Sequence, residues 1–378
     1  MRLQLDDTSV ARKSPCKGIV PVAASNQDRE GQKHEGPSVE YRALGRSGLK
    51  VSPLCLGAMM FGDQTDENTS RRIVAKAKDA GFNFIDTADA YNGGKSEEIV
   101  GRAIEDNRDR WVIATKVGFP VDKIIPSGHD LSRKYIMRAV DQSLRRIGTE
   151  YIDLYYLHRD DPTTPLDETV RALADLIHQG KVRHIGVSNF RAWRVAEFCR
   201  LCDETGIDRP VASQPQYNAM NRVPEVQHLP ACQFYGLGVV PYRPLARGIL
   251  TGKYTSIAAL PEGSRAARQD PRMLQVELRT ESVELARQIK EHAEARGTTT
   301  SHFAINWVLN NSIVTSVIAG PRTEDQWDDY VAALEYKFTA EDEALVDQLV
   351  APGHPSTPGF TDPQYPVNGR APRTRLPS

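Results

Sequence analysis

The sequence predicts an α/β fold, a (β/α)8 TIM barrel with an N-terminal β-hairpin and irregular tails at both ends. Three observations carry that expectation. Eight short apolar segments alternate with amphipathic helical segments between residues 39 and 350. Most of the eight are near-continuous apolar runs, as strands buried on both faces of a parallel sheet should be. No G-x-G-x-x-G follows the first run, which weighs against the alternative, an open doubly wound dinucleotide-binding sheet.

The elements follow in order. Residues 1–38 are polar and aperiodic and read as a disordered extension. YRALGRSGLKVS reads as a hairpin turning near Ser47-Gly48. The eight strands are expected near Leu54–Gly57, Asn83–Asp86, Val112–Lys116, Ile152–His158, His184–Ser188, Val211–Gln214, Gly238–Tyr242 and Thr315–Ala319. Among the helices, Ile136, Val140, Leu144 and Ile147 form one stripe that Gly148 stops. Thr164 is the expected N-cap of the next helix, with Pro165 as its first residue. Leu166, Val170, Leu173 and Ile177 then share a face, and Gly180 ends it. Residues 351–378 are rich in Pro and Gly and should run over the surface as a tail, because Pro suits neither helix interior nor central strand.

Composition narrows function. Lys and Arg total 48 against 49 Asp and Glu, so no overall basic field draws nucleic acid or an anionic membrane. No apolar run reaches the ~18 residues of a membrane span. The opening MRLQLDDTSVARKSP lacks the apolar core of a secretory signal. Five cysteines, an odd number in a large chain, point to reduced thiols and a cytoplasmic protein. Cys199 and Cys202 form a C-x-x-C, but they sit in a helical segment without nearby ligand residues and read as a thiol pair on a helix rather than a redox pair. Nothing in the sequence sets an oligomeric state.

Polar residues gather at one end of the predicted strands. The second strand ends at Asp86, the third at Lys116, the fourth at His158, the fifth at Ser188-Asn189 and the sixth at Gln214. The seventh ends at Tyr242, and the eighth runs into Gly320-Pro321-Arg322. Random placement would put polar residues at strand starts as often. In a TIM barrel the C-terminal strand ends carry the active site, so the pattern predicts one site there. Asp86 and Lys116 can pair across adjacent strands, and if inward each needs the other, since an unpaired buried charge is costly. His and Asp residues do not cluster as metal ligands at these ends, so no metal is expected.

At these residues the sequence resembles the aldo-keto reductase family, over roughly Tyr41 to Leu349. The matching segments are FIDTADAYNGGKSEEIVG, IATKVG, YLHRDDP, GKVRHIGVSNF, SQPQYN and PYRPLARGILTGKY, six in family order and spacing. The resemblance implies reduction of a small aldehyde or ketone by NADPH, with Asp86, Tyr91, Lys116 and His158 as the catalytic set. It implies that Ser188, Asn189 and Gln214 hold the nicotinamide amide and that Tyr242 stacks on the ring. Gly57, Ala58, Met59 and Asp86 would border the nicotinamide end, with Pro244 and Leu245 along the cofactor. Gly320 would lie beside Arg322, which would meet the 2′-phosphate, and Gln326 the adenine end. Met59, Met60, Phe61, Phe119 and the C-terminal tail are the expected substrate-pocket lining. Three positions depart from the family pattern: Arg243 stands where a small residue is usual, Pro321 replaces a small or hydroxyl residue, and Tyr330 stands where Asn is common.

The implied chemistry is consistent. Hydride addition to a carbonyl leaves charge on oxygen that a proton must meet. A free Tyr has a pKa near 10, so Lys116 is expected to lower that of Tyr91, with Asp86 holding Lys116 and His158 orienting the carbonyl. An alternative is a nonenzymatic NADPH-sensing subunit of the potassium-channel β type, which shares the barrel; at position 158 that branch resembles Asn, not His.

Overall fold

The computed structural model describes residues 39–119 and 130–365. The expected extension at 1–38, and residues 366–378 of the tail, lie outside the described residues.

The chain opens with the expected hairpin. Strands β1 (Arg42–Ala43) and β2 (Lys50–Val51) pair antiparallel. The backbone demand falls at Gly45 rather than at Ser47-Gly48. Gly45 has φ +55°, and a Cβ there would lie 2.3 Å from the Val211 carbonyl, whereas Gly48 has nothing within 4 Å. Only glycine allows the hairpin to press this closely on the barrel's N-terminal end.

Eight parallel strands follow: β3 (Leu54–Gly57), β4 (Phe84–Asp86), β5 (Val112–Val117), β6 (Ile152–Leu157), β7 (Val182–Ser188), β8 (Ala212–Gln214), β9 (Gly238–Val239) and β10 (Val317–Ala319). Their order is β10-β3-β4-β5-β6-β7-β8-β9, every neighbour parallel. Thr315 N donates to Val239 O at 2.8 Å and Ile318 N to Pro241 O at 3.0 Å, which joins the two outer strands into a (β/α)8 barrel. The last two strands are shorter than expected. Pro241 has no N–H for a ladder, so β9 stops early and Tyr242 forms an isolated bridge to Gln216, beyond the end of β8.

Helices α1 (Glu67–Asp79), α2 (Lys95–Ile104), α3 (Arg133–Ile147), α4 (Leu166–His178), α5 (Ala192–Thr205) and α6 (Pro224–Tyr235) cover the first six strands. Helices α7 (Thr280–Ala295), α8 (Thr300–Asn310), α9 (Glu324–Ala332) and α10 (Ala340–Leu349) complete the shell. Gly148 and Gly180 end α3 and α4 at φ +71° as expected. The expected cap of α4 is different. The Thr164 hydroxyl donates to Asp161 Oδ2 at 2.6 Å, and the helix begins one residue later, at Leu166. A carboxylate already fixed in the loop takes the hydroxyl that would otherwise cap.

Side-chain alternation then divides the core. Leu54, Leu56, Ile85, Ile113 and Tyr155 pack outward against the helices. Cys55, Phe84, Ala114, Leu154 and Tyr156 fill the barrel interior with Leu44 of the hairpin. Asp86 and Lys116 stand two residues beyond Phe84 and Ala114, so the same period of two aims them inward at the top of the interior.

Candidate active site

Lys116 is fully buried. Its Nζ donates to Asp86 Oδ1 at 2.5 Å, to the Thr87 carbonyl at 2.8 Å and to the Tyr91 hydroxyl at 3.0 Å. All three ammonium protons therefore have acceptors. The second oxygen of Asp86 accepts from Gln214 Nε2 at 2.8 Å. Tyr91 arrives on the loop after β4 and is braced by its neighbour. Asn92 holds φ +52°, and its Nδ2 donates to Phe61 O at 2.7 Å and Met59 O at 3.3 Å. The rings of Tyr91 and Phe119 meet the His158 ring edge-on, with centroids at 5.7 and 4.7 Å.

Electrostatics set the protonation states. Burial pushes the Tyr91 phenol above its ordinary value, and Lys116 pulls it down without overcoming that. This corrects the expected net lowering. Much of the Lys116 charge is spent on Asp86, so removing a phenolate from water costs more than the ammonium returns. Tyr91 is thus a protonated phenol at neutral pH. Burial, then Lys116 and Arg159, hold the His158 imidazole well below its ordinary value, so it is neutral, with one N–H to give. Its buried Nδ1 has no partner. Burial raises the Asp86 carboxyl while Lys116 and Gln214 oppose it. Lys116 itself is held above its ordinary value: burial works against its charge, and Asp86 and Tyr91 outweigh it.

A cleft of 490 Å³ opens over this group. Tyr91, His158, Met59, Ser188, Asn189, Gln214, Tyr242, Pro244, Leu245, Gly320, Arg322 and Gln326 all line it, as do Met60 and Phe119. Five expected residues do not. Asp86 and Lys116 are buried beneath it. Phe61 is fully buried in the outer core. Gly57 and Ala58 lie beneath the floor, because the Met59 side chain crosses it: a Cβ on Gly57 or Gly320 would meet Met59 atoms at 2.9 and 2.4 Å. The expected amide-binding residues also bond one another. Ser188 Oγ donates to Gln214 O, Asn189 Nδ2 to His158 O, and the Tyr242 hydroxyl to Asn189 Oδ1, at 2.8 to 2.9 Å.

The cations of the cleft were foreseen only in part. Arg243, Arg247, Lys253, Arg265 and Arg272 line it together with the expected Arg322, and Gln364 and Tyr365 come from the tail, which was expected to reach the pocket. Burial first, then crowding by Arg322, Arg265 and Arg268, pushes Lys253 below its ordinary value. Arg265 is lowered by burial and by Arg322 and Arg268, against the pull of Asp270. Like charges held this close are relieved by an anion. Arg243, Ala246 and Arg247 all hold φ between +45° and +60°, strained backbone of the kind concentrated at binding loops. The basic run in PLARGILTGKY was the available sequence signal; the other cations come from separate loops. Among the described residues no group of three His, Cys, Asp or Glu side chains could hold a metal, and no helix is long and apolar enough to cross a membrane. Cys199 and Cys202 are buried free thiols on α5, and burial raises Cys199 to about 11, so the pair is unreactive.

A parallel barrel with these side chains at its C-terminal strand ends matches known proteins. The family model of the Aldo/keto reductase family covers residues 53–351, and the chain belongs to that family. It is 37% identical over 324 residues to a putative voltage-gated potassium channel subunit beta of Schizosaccharomyces pombe, covering 83% of this chain and 94% of that protein. It is 35% identical over 344 residues to the L-glyceraldehyde 3-phosphate reductase of Escherichia coli, covering 88% and 96%. It is 33% identical over 349 residues to the versiconal hemiacetal acetate reductase of Aspergillus parasiticus, covering 83% and 99%. The family and the reductases within it support an oxidoreductase activity.

Proposed function

We propose that this chain reduces the carbonyl of a small aldehyde or ketone with NADPH, and that Tyr91 is the general acid. One observation carries the reading: a buried ammonium, Lys116, bonds both Asp86 and the Tyr91 hydroxyl beneath an open cleft, beside a neutral His158. When bound, NADPH supplies the hydride. Tyr91 Oη gives its proton to the developing alkoxide, and Lys116, 3.0 Å away, meets the charge left on the phenol oxygen. The single N–H of His158 orients the carbonyl. The residues fit such a cofactor at both ends. Tyr242 and the amides of Asn189 and Gln214 suit a flat carboxamide ring, and the crowded cations of Lys253, Arg265 and Arg322 suit phosphates. The proposal places the protein in the cytoplasm, which its four free described thiols fit.

The second reading, a nonenzymatic NADPH-sensing subunit, is favoured by the channel-subunit names of three relatives. His158 in the cleft favours the reductase. Purified protein mixed with NADPH and a panel of aldehydes, ketones and sugars decides between them. Loss of nicotinamide absorbance with at least one carbonyl is expected; tight NADPH binding with no loss on any would support the sensor and overturn the reductase.

Cofactor choice gives a further expectation. Arg322 directly precedes Thr323, the N-cap of α9, where the helix dipole already favours an anion. Its backbone N–H donates to Gln326 Oε1 at 2.8 Å, and among the described residues its guanidinium has no acceptor. Arg322→Ala should therefore weaken NADPH by about 10-fold to 100-fold, the effect of one or two charge-assisted bonds. NADH, without the 2′-phosphate, should change far less. Fluorescence titration of both cofactors checks this, and equal losses would show that Arg322 only supports its loop.

A further inference from the structure

The geometry points to a substrate-side anion site built on Arg159: the carbonyl compound this chain takes carries a phosphate or carboxylate that Arg159 grips. The inference rests on the reductase reading and adds to it the chemical class of the substrate.

Arg159 follows His158 directly and is half-buried. Its guanidinium stacks over the rings of Phe119 and Tyr365 at 5.6 and 5.9 Å, and both rings line the cleft. Phe119 also touches His158, at 4.7 Å between centroids, so the guanidinium and the proposed carbonyl-orienting imidazole stand within one aromatic ring of each other. Among the described residues Arg159 forms no ion pair and no hydrogen bond, and its Nε is buried without a partner. The nearest carboxylates in sequence are committed elsewhere. Asp160 is gripped by Arg194 through three bonds of 2.7 to 3.0 Å. Asp161 accepts from Leu131 N, Thr163 N and the hydroxyls of Thr163 and Thr164.

A half-buried guanidinium with no acceptor among the described residues is an unfavourable arrangement unless something else supplies the oxygens. Packing explains the two rings beside it but not the missing acceptor. The surrounding charge agrees. Arg159, Arg243 and Arg272 all act on the Tyr365 phenol, while Asp362 opposes them. Arg272 is matched by Asp362 at 2.6 Å, and Arg243 is only loosely matched by Glu277 at 3.8 Å. Two of these guanidiniums, Arg243 and Arg272, line the cleft and have carboxylates near them; Arg159 has none among the described residues and borders the cleft through the Phe119 and Tyr365 rings. A planar fork of N–H donors fits phosphate or carboxylate oxygens two at a time. The two rings beside it would set its plane, and its place one ring away from His158 suits a short chain between carbonyl and anion.

The test uses the full-length protein, NADPH and matched probes: glyceraldehyde against glyceraldehyde 3-phosphate, and butanal against 4-oxobutanoate. The anionic member of at least one pair should have the higher kcat/KM, by about 10-fold to 100-fold, mostly through KM. Comparing the pairs tells phosphate from carboxylate. Arg159→Gln should erase most of that preference, reducing kcat/KM for the anionic member at least tenfold more than for its neutral partner. Arg159→Lys, which keeps the charge and loses the fork, should fall between. Calorimetric binding of the same probes to wild type and variants is measured alongside. Anion binding that depends on Arg159 without NADPH consumption would support the anion site and sink the reductase reading. Equal handling of neutral and anionic members, or an equal loss on both in Arg159→Gln, would overturn the anion site and leave the reductase standing.

Discussion

Replacing Tyr91 by Phe is expected to lower turnover by roughly 100-fold to 10,000-fold, the range assigned to general acid catalysis. The change removes one hydroxyl from a ring held by its contacts with His158 and Lys116, so the ring should stay where it is. NADPH affinity should change little, which separates a lost proton donor from a lost site. The pH profile adds an independent sign. Tyr91 must be protonated to act, and burial holds its pKa above the ordinary value, so wild-type reduction should be flat through neutrality and fall only at strongly alkaline pH. His158 is pushed well below its ordinary value of about 6.5 and should add no inflection there. Near-normal turnover in Tyr91→Phe would remove Tyr91 as the acid. A wild-type activity loss centred near pH 6.5 would mean that His158 titrates in the working range.

Much of this site was legible because it lies in strands. Continuous apolar runs located β3 to β8 closely, and the end of each run located Asp86, Lys116, His158 and Gln214. A period of two then settles inward or outward without a structure. Loops carry no such period. The sequence could not show that the Met59 side chain covers Gly57 and packs against Gly320, or that Asp161 takes the hydroxyl of Thr164. The cations around Arg322 come from segments up to about 80 residues apart in the chain and meet only through tertiary contact. The Tyr91 pKa went the other way from expectation for a related reason. The lysine is visible in sequence, but the depth of burial that outweighs it is a property of the whole cleft.

Lys116→Met should cost both turnover and stability, and the two losses should separate. Lys116 and Asp86 are both essentially unexposed, with 2.5 Å between them. Removing the ammonium deprives the Tyr91 oxygen of its charged donor, an effect of about 100-fold to 1,000-fold for one preorganised group. It also leaves Asp86 buried without its cation, which costs about 3–5 kcal/mol in comparable buried pairs. That cost should depend on pH. Burial already raises the Asp86 carboxyl, and without Lys116 nothing but Gln214 opposes it, so the folded pKa climbs further above the unfolded one. The folded variant then binds its proton more tightly than the unfolded chain. Its stability deficit against wild type should be smallest in acid, below the unfolded pKa, and grow as pH rises toward the new folded pKa. Thermal melts at pH 5 and pH 8 read this directly, with the larger deficit at pH 8. The double variant Asp86→Asn with Lys116→Met removes both charges and should recover most of the stability with little pH dependence. It should remain inactive, because the Tyr91 oxygen still has no ammonium beside it. Recovery of turnover along with stability in the double variant would show that the buried pair only supports the barrel.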